Sequence, residues 1–246
     1  MPIDARDRLI LALDFPNDPT NPDRLMEPED AFRLIDAVGD DLRMVKVGWP
    51  LYLSGGTPLV RELVARGVGV FLDLKFGDIA ETVRRLVEVA VKERVAMLTL
   101  NSDFAAVRAA ASARAASKLQ LLTVTLLTSL TEQDLRDMGI GLSVEEYVLH
   151  RAKGALAAGS NGLIASGREA RKLRDTFGRD FTIVMPGIRP SGSAADDQRR
   201  TATPAEAIEA GADYLVVGRP ICKATSPRAA AAAIVDEMQR AFDRAS

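Results

Sequence analysis

The sequence of 246 residues has very little of the chemistry that proteins use for cross-links or metal sites. It contains one cysteine, Cys222, and one histidine, His150. A single cysteine excludes an intramolecular disulfide, and no group of cysteines and histidines has the spacing of a zinc site. This composition is typical of a protein in a reducing compartment, so we expect a cytoplasmic location.

Long apolar runs and an excess of charge are also lacking. No hydrophobic stretch approaches the roughly 20 residues that a transmembrane helix needs, and the segment Met1 to Arg8 carries charges of both signs, unlike a secretory signal. The 32 basic and 34 acidic residues nearly cancel. This balance argues against a nucleic-acid or membrane partner, but it is compatible with a local basic pocket for a small anion.

Short runs rich in Val, Leu and Ile alternate with longer segments of helical periodicity. The predicted strands are Leu9–Asp14, Arg43–Val47, Gly69–Lys75, Ala96–Leu100, Leu119–Leu126, Gly162–Ala165, Phe181–Met185 and Tyr214–Val217. The predicted helices are Pro28–Val38, Thr57–Arg66, Asp78–Glu93, Phe104–Ala116, Val144–Ala158, Arg168–Phe177, Pro204–Ala210 and Pro227–Arg244.

This alternation, without a break in composition, predicts a single domain over residues 1–246 that is folded as a (β/α)₈ TIM barrel. An open doubly wound sheet is the alternative. That fold usually has a glycine-rich turn after the first strand, whereas Asp14-Phe15-Pro16-Asn17 follows it here. The segments 17–27 and 191–203 are longer than simple connections need to be.

Opposite charges follow one another on the third predicted strand. Because side chains alternate across a strand, Asp73 and Lys75 share a face with Phe71. The opposite face is apolar and should pack against helices, so we expect the charged face to point into the barrel. Charges are costly to bury unless they are paired, which indicates either a functional site or an ion pair that plugs the barrel.

Active sites of such barrels are built at the carboxyl ends of the strands. Three more charged residues are predicted there: Asp14 after the first strand, Lys46 near the end of the second, and Asp78 just after the third. For Asp78 a second interpretation stays open, because Asp78 with Glu81 three residues later resembles a helix cap with a capping box.

Lys75 is the residue of this set that favours a particular chemistry. A lysine flanked by carboxylates is stabilised in its protonated form. Such a lysine is suited to delivering a proton to a developing carbanion. It is poorly suited to Schiff-base chemistry, which requires a free amine.

The last two strands indicate a site for a phosphate group, because the loops after strands seven and eight commonly bind phosphate in this fold. The candidate residues are Arg189, Gln198, Gly218 and Arg219. Two hydroxyls, Thr128 and Ser129, follow the fifth strand and could bind a ligand amide, although Ser129 or Thr131 could equally cap the next helix.

These residues stand in motifs that resemble the orotidine 5′-phosphate decarboxylase family nearly from end to end. The motifs are Leu11-Ala12-Leu13-Asp14, Val45-Lys46-Val47-Gly48, Asp73-Leu74-Lys75-Phe76-Gly77-Asp78-Ile79, Leu127-Thr128-Ser129, Pro186-Gly187-Ile188-Arg189-Pro190, Asp197-Gln198-Arg199-Arg200 and Val217-Gly218-Arg219-Pro220.

The resemblance implies a loss of CO₂ from C6 of orotidine monophosphate, without metal or cofactor, to give uridine monophosphate. Lys75 would protonate C6, and Asp73 would crowd the substrate carboxylate. Asp78 would complete the charged array, while Asp14 and Lys46 would hold ribose hydroxyls.

The resemblance also implies the remaining contacts and the assembly. Thr128 and Ser129 would face the pyrimidine, and Asp78 and Thr82 would enter the pocket of a neighbour in a homodimer. The phosphate would be held by Arg189, Gln198, Gly218 and Arg219. The loop that carries Gln198 would act as a lid.

The sequence departs from the common bacterial pattern at Gly77, Ala80, Glu81 and near Asn101, without loss of a charged catalytic residue. Two other functions stay open. An aldolase-type hexulose-phosphate synthase is similar in fold and in the Asp-x-Lys-x-x-Asp motif but uses magnesium. A non-catalytic sensor of a phosphorylated ligand would need the phosphate site but not the lysine.

Overall fold

The protein is described by a computed structural model that covers residues 4–16, 21, 24–40, 42–127, 130–190 and 201–245. Eight parallel strands form a closed barrel in chain order, and β1 pairs with β8. The strands are β1 Leu9–Ala12, β2 Met44–Gly48, β3 Gly69–Phe76, β4 Met97–Leu100, β5 Gln120–Val124, β6 Gly162–Ile164, β7 Thr182–Met185 and β8 Tyr214–Val217. The predicted TIM barrel is thereby confirmed.

Helices separate the strands and cover the barrel. They are α1 Pro28–Val38, α2 Trp49–Ala65, α3 Ala80–Lys92, α4 Phe104–Arg114, α5 Glu132–Asp137, α6 Val144–Ala157, α7 Gly167–Phe177, α8 Pro204–Glu209, α9 Arg219–Cys222 and α10 Pro227–Ala245. A short 3₁₀ helix, Ala5–Asp7, precedes β1. Among the described residues, no helix is long and apolar enough to cross a bilayer.

The core has two layers, and β3 contributes to both. Phe71 packs inside the barrel with residues such as Ile10 and Met97. Val70, Leu72 and Leu74 belong to the larger layer between the barrel and the helices. This division confirms the predicted faces of β3 and places Asp73 on the side of the strand that faces the barrel interior.

Two helix starts differ from the prediction by more than one residue, and the short helices α5 and α9 were not predicted. α2 begins at Trp49, well before the predicted Thr57, because it consists of two helical pieces joined at Gly56, whose φ is 55° and whose ψ is −152°. The first piece begins with Trp49 and Pro50 after Gly48, which offers no capping side chain, whereas the prediction used the later Thr57 and Pro58 as the start signal.

The predicted cap at Asp78 is wrong. α3 begins at Ala80, and its N-cap is Ile79, which makes no side-chain cap hydrogen bond. The Asp78 carboxylate instead accepts a hydrogen bond from the N–H of Ile79 at 2.7 Å. Glu81 pairs with Arg84 and Arg85 on the same helix rather than reaching back to complete a capping box.

Candidate active site

A cavity of about 320 Å³ opens at the carboxyl end of the barrel. Parallel strands place their carboxyl ends at one edge, so residues that are far apart in sequence meet there. The polar residues that line the cavity come from β2, from β3 and from the segments after β1, β7 and β8. They include Asp14, Lys46, Asp73, Lys75, Arg189 and Arg219.

Four of these side chains form a continuous row of alternating charge. Lys46 Nζ lies 2.9 Å from Asp14 Oδ1 and 3.6 Å from Asp73 Oδ2. Lys75 Nζ lies 2.8 Å from Asp73 Oδ1, so the two oxygens of the Asp73 carboxylate bind two different lysines. The strand register produces the row, because Lys46 pairs with Ala12 of β1 on one side and with Phe71 of β3 on the other.

The two inner members of the row are held in their charged forms. Burial alone would lower the pKa of Lys46, but the neighbouring carboxylates of Asp14 and Asp73 outweigh it and raise that pKa above its usual value. Burial would raise the pKa of Asp73, but Lys46 and Lys75 outweigh this effect and lower it. Mutual neutralisation therefore keeps both groups ionised at neutral pH.

The backbone of β3 is irregular where Lys75 leaves the strand. Lys75 has a φ of +48°, which L residues rarely adopt. The pairing of β3 with β4 shifts register between Leu72 and Phe76. The chain therefore bulges at the residue whose ammonium group enters the cavity, as is common next to active sites.

Thr99 on β4 is a residue of this region that the sequence interpretation missed. Its hydroxyl accepts a hydrogen bond from the N–H of Lys75 at 2.8 Å and donates to Asp73 Oδ1 at 3.0 Å. The available signal was strand alternation. Thr99 shares a face with Met97, which packs inside the barrel, so a polar side chain points inward near a strand end.

A second group of residues lies where the segments after β7 and β8 meet. Gly187, Arg189, Gly218 and Arg219 line this part of the cavity. A Cβ added to Gly218 would meet the Cβ of Ala12 at 3.5 Å and its carbonyl oxygen at 3.9 Å, which are ordinary contact distances. Packing within the chain therefore does not require glycine there, whereas the close approach of a ligand to the backbone would.

Aromatic packing orients the cations of this region. The Arg219 guanidinium carbon lies 5.2 Å from the centre of the Phe15 ring, and Lys223 Nζ lies 5.5 Å from the same centre. Phe15 also lines the cavity. These distances suit cation–π interactions, which hold a cation over the ring while its N–H groups still bind other partners.

Two predicted site residues do not join these groups. Asp78 is exposed and Thr82 on α3 is half-buried, and neither lines the cavity of its own chain. Thr128, Ser129 and Gln198 lie outside the described residues. Leu127, which precedes Thr128 in the sequence, lines the cavity. Thr131 caps α5 in a capping box with Asp134, which was one of the two open interpretations of this segment.

Three further residues with reactive or aromatic side chains, Cys222, His150 and Trp49, do not line the cavity. Cys222 is buried, its thiol donates to the carbonyl of Ala12 at 3.3 Å, and burial raises its pKa to about 12. His150 is exposed on α6. Trp49 begins α2 and its indole N–H donates to the carbonyl of Leu74 at 2.7 Å, so it covers the rim of the barrel.

Comparisons with known proteins agree with this geometry. The sequence model of the orotidine 5′-phosphate decarboxylase / HUMPS family matches residues 7–234. An orotidine 5′-phosphate decarboxylase of Nitrobacter winogradskyi is 46% identical over 238 residues, which are 97% of this chain and 95% of the relative. One from Rhodopseudomonas palustris is 45% identical over 242 residues, which are 98% of each chain.

Solved structures give the same result. The crystal structure of orotidine 5′-phosphate decarboxylase from Lactobacillus acidophilus has a TM-score of 0.80 and 33% identity, and the match covers 94% of this chain and 99% of that one. An uncharacterized conserved protein from Geobacillus kaustophilus has a TM-score of 0.78 and 27% identity, over 94% of this chain and 99% of that one.

Proposed function

The chain belongs to the orotidine 5′-phosphate decarboxylase / HUMPS family, and we propose that it is a carboxy-lyase that converts orotidine 5′-monophosphate to uridine 5′-monophosphate in pyrimidine biosynthesis. The observation that carries this proposal is the row Asp14–Lys46–Asp73–Lys75, which shares one cavity with Arg189 and Arg219. A single domain over residues 1–246 performs the reaction in the cytoplasm, the location that the low cysteine content favours.

The charged row and the arginines after β7 and β8 lie in different parts of the cavity, so the substrate can bind in only one orientation. Arg189, Gly218 and Arg219, together with Gln198, bind the phosphate, because guanidinium groups and backbone N–H groups are strong donors to phosphate oxygens. The charged row then lies toward the orotate ring. Asp14 and Lys46 hold the ribose hydroxyls between these ends, and Thr128 and Ser129 face the pyrimidine.

The reaction breaks the bond between C6 and the carboxylate carbon. The electron pair of that bond stays on C6, and CO₂ leaves as a neutral molecule. Lys75 donates a proton from its ammonium group to C6, and solvent later returns a proton to the amine. Asp73 keeps Lys75 next to the reacting carbon and repels the substrate carboxylate until its charge is lost.

The reaction proposed here needs no metal or cofactor, because the ammonium group of Lys75 is the electrophile that meets the developing negative charge. Two other functions make different demands on the same cavity. A hexulose-phosphate synthase would need magnesium to stabilise an enediolate. A sensor would bind the nucleotide without converting it.

One assay separates these functions. Orotidine monophosphate is followed by its ultraviolet absorbance with the parent protein, before and after treatment with EDTA. We expect turnover that EDTA does not change. Binding without turnover would support a sensor, and turnover that EDTA abolishes and magnesium restores would contradict the metal-free reaction.

The phosphate site can be tested with Arg219→Ala. Loss of a charge-assisted hydrogen bond of about 1.5–3 kcal/mol should reduce kcat/KM for orotidine monophosphate about 10- to 100-fold. Turnover of orotidine, the nucleoside without phosphate, should stay at the level of the parent. Arg240→Ala, at an exposed position of α10, is the control and should change neither rate. An equal loss on both substrates would contradict the assignment.

The partner that we propose is a second copy of the chain. Asp78 lies outside the cavity of its own chain, beside Ile79, whose side chain is 71% exposed. Trp49 is 46% exposed at the same rim, and its ring packs edge-on against that of Phe76 at 6.3 Å. Exposed apolar residues next to a carboxylate that lies outside its own cavity favour a homodimer in which Asp78 and Thr82 enter the neighbour's cavity.

Mixing two inactive variants tests this arrangement. Lys75→Ala and Asp78→Ala chains are unfolded together and refolded, so that about half of the dimers contain one chain of each kind. If Asp78 acts in the neighbour, one site in each mixed dimer is complete, and about a quarter of the parent activity returns. No gain over the separate variants would show that Asp78 acts within its own chain. Each variant refolded alone is the control.

A further inference from the structure

We propose that Thr99 is a positioning residue of the decarboxylase reaction, which holds the Asp73–Lys75 pair in its productive geometry without touching the substrate. This inference rests on the proposed function, because it assigns Thr99 a role in that reaction. The observation that carries it is one buried hydroxyl that joins the backbone of Lys75 to the side chain of Asp73.

The first step of the argument concerns the backbone of Lys75. A φ of +48° is unfavourable for a lysine, and such a conformation persists only where the surroundings fix it. The N–H of Lys75 is bound by Thr99 Oγ1 at 2.8 Å, at the point where the register of β3 against β4 shifts. This hydrogen bond links the bulge to the neighbouring strand, and so to the barrel.

The second step concerns Asp73. A hydroxyl has one proton to donate, and the Thr99 hydroxyl lies closer to Asp73 Oδ1, at 3.0 Å, than to the carbonyl oxygen of Leu72, at 3.4 Å. Asp73 Oδ1 also accepts from Lys75 Nζ at 2.8 Å. The carboxylate is therefore fixed in rotation, with one oxygen between Thr99 and Lys75 and the other toward Lys46.

The third step is that Thr99 cannot act directly on the substrate. Its side chain is 0% exposed, and it is not among the residues that line the cavity. A displacement of about 1 Å of a reacting group can lower a rate about 100-fold. Thr99 thus affects the reaction through the position of Lys75 Nζ and not through a contact with the nucleotide.

The test uses three substitutions. Thr99→Val keeps the size and β-branching of the side chain but removes both hydrogen bonds, and Thr99→Ser restores the hydroxyl. Thr123→Val is the matched control, because Thr123 on β5 is also 0% exposed and its hydroxyl donates to Ser160 Oγ at 3.0 Å, away from the cavity. Both valine variants remove a buried hydroxyl, so a general loss of stability should affect them alike.

We expect Thr99→Val to lower kcat for orotidine monophosphate about 100-fold, while KM and the affinity for uridine monophosphate change less than about threefold. Thr99→Ser should recover kcat to within about threefold of the parent. Thr123→Val should keep the kcat of the parent. A Thr99→Val kcat within about twofold of the parent, or an equal loss in Thr123→Val, would overturn the positioning role.

A structural readout separates this inference from the proposed function. In a crystal structure of Thr99→Val, Lys75 Nζ should leave Asp73 Oδ1, from which it lies 2.8 Å in the parent, or the φ of Lys75 should change from +48°. An unchanged pair and backbone would overturn the inference whether or not the protein turns over this substrate. A parent that lacks turnover would contradict only the proposed reaction.

Discussion

Replacement of Lys75 by alanine should lower the rate of orotidine monophosphate decarboxylation by about 10⁴-fold, the upper range of what a positioned proton donor contributes. The variant retains the carboxylates of the row but has no acid next to C6, so the electron pair left by CO₂ has no positioned proton donor. Steady-state kinetics monitored by ultraviolet absorbance measure this effect.

The binding of product separates loss of chemistry from loss of the site. Uridine monophosphate has no carboxylate at C6, and the phosphate residues of the cavity are unchanged in Lys75→Ala. Its dissociation constant, measured by calorimetry, should therefore stay within about threefold of the parent value. Lys118→Ala, at an exposed position far from the row, is the control. A Lys75→Ala variant with activity near that of the parent would show that another group protonates C6.

Deuterium labelling tests the uptake of a solvent-derived proton at C6, whichever group delivers it. In D₂O the ammonium group of Lys75 exchanges its protons with solvent, so the parent should form uridine monophosphate that carries deuterium at C6. Any residual product of Lys75→Ala should carry the same label, because water then supplies the proton without a positioned donor. The contrast between the two proteins therefore lies in the rate and not in the label.

The barrel could be predicted because each of its units is signalled locally. Strand-length apolar runs and helical segments alternate, and parallel strands must be joined by crossovers, so few topologies remain. Strand ends were less accurate. The predicted fifth strand reaches Leu126, but β5 ends at Val124, and the next hydroxyl, Thr125, donates to the carbonyl of Ile164 on β6. This hydrogen bond joins residues that are far apart in the sequence, so no local pattern around Thr125 indicates where the strand ends.

The charged row was predictable for the same reason as the fold. A closed parallel barrel brings strand ends together, so the positions of Asp14, Lys46, Asp73 and Lys75 along their strands were enough to place them near one another. The order of the contacts was not predictable. It depends on the register between β2 and β3, which the apolar pattern of either strand alone does not determine.

Thr99 could not be assigned because its role depends on an irregularity. In a regular strand its hydroxyl would be one inward-facing polar group among several. The bulge between Leu72 and Phe76 turns the N–H of Lys75 toward it. Asp78 shows the opposite case, since its motif position was clear, but only the folded chain shows that its side chain stays outside the cavity.

Asp73→Asn should lower kcat without weakening the binding of the substrate. Lys46 and Lys75 hold the Asp73 carboxylate in its charged form, and in the proposed reaction it would face the substrate carboxylate. Two such charges about 4 Å apart repel by about 4 kcal/mol at the effective dielectric constant typical near protein surfaces. This repulsion is present in the bound substrate and disappears as CO₂ leaves, so the carboxylate raises the energy of the ground state relative to the transition state.

Removal of the charge should therefore lower kcat about 10³-fold, while KM for orotidine monophosphate falls or stays level. The affinity for uridine monophosphate, which has no carboxylate at C6, should be nearly unchanged. Asp175→Asn, at an exposed position of α7, is the control for loss of a carboxylate. An asparagine variant that binds substrate and product more weakly by the same factor would show that Asp73 only maintains the site.

The same substitution tests how far Asp73 acts through Lys75. Asparagine can still accept a hydrogen bond from Lys75 Nζ, so the position of the lysine should be largely kept while the repulsive charge is lost. Thr99→Val, in contrast, keeps the negative charge of Asp73 but no longer holds Lys75 Nζ in place. If the charge and the position contribute separately, the two losses should multiply to about a 10⁵-fold loss of kcat in the double variant. A double variant little slower than Asp73→Asn alone would show that asparagine also fails to hold the lysine in position.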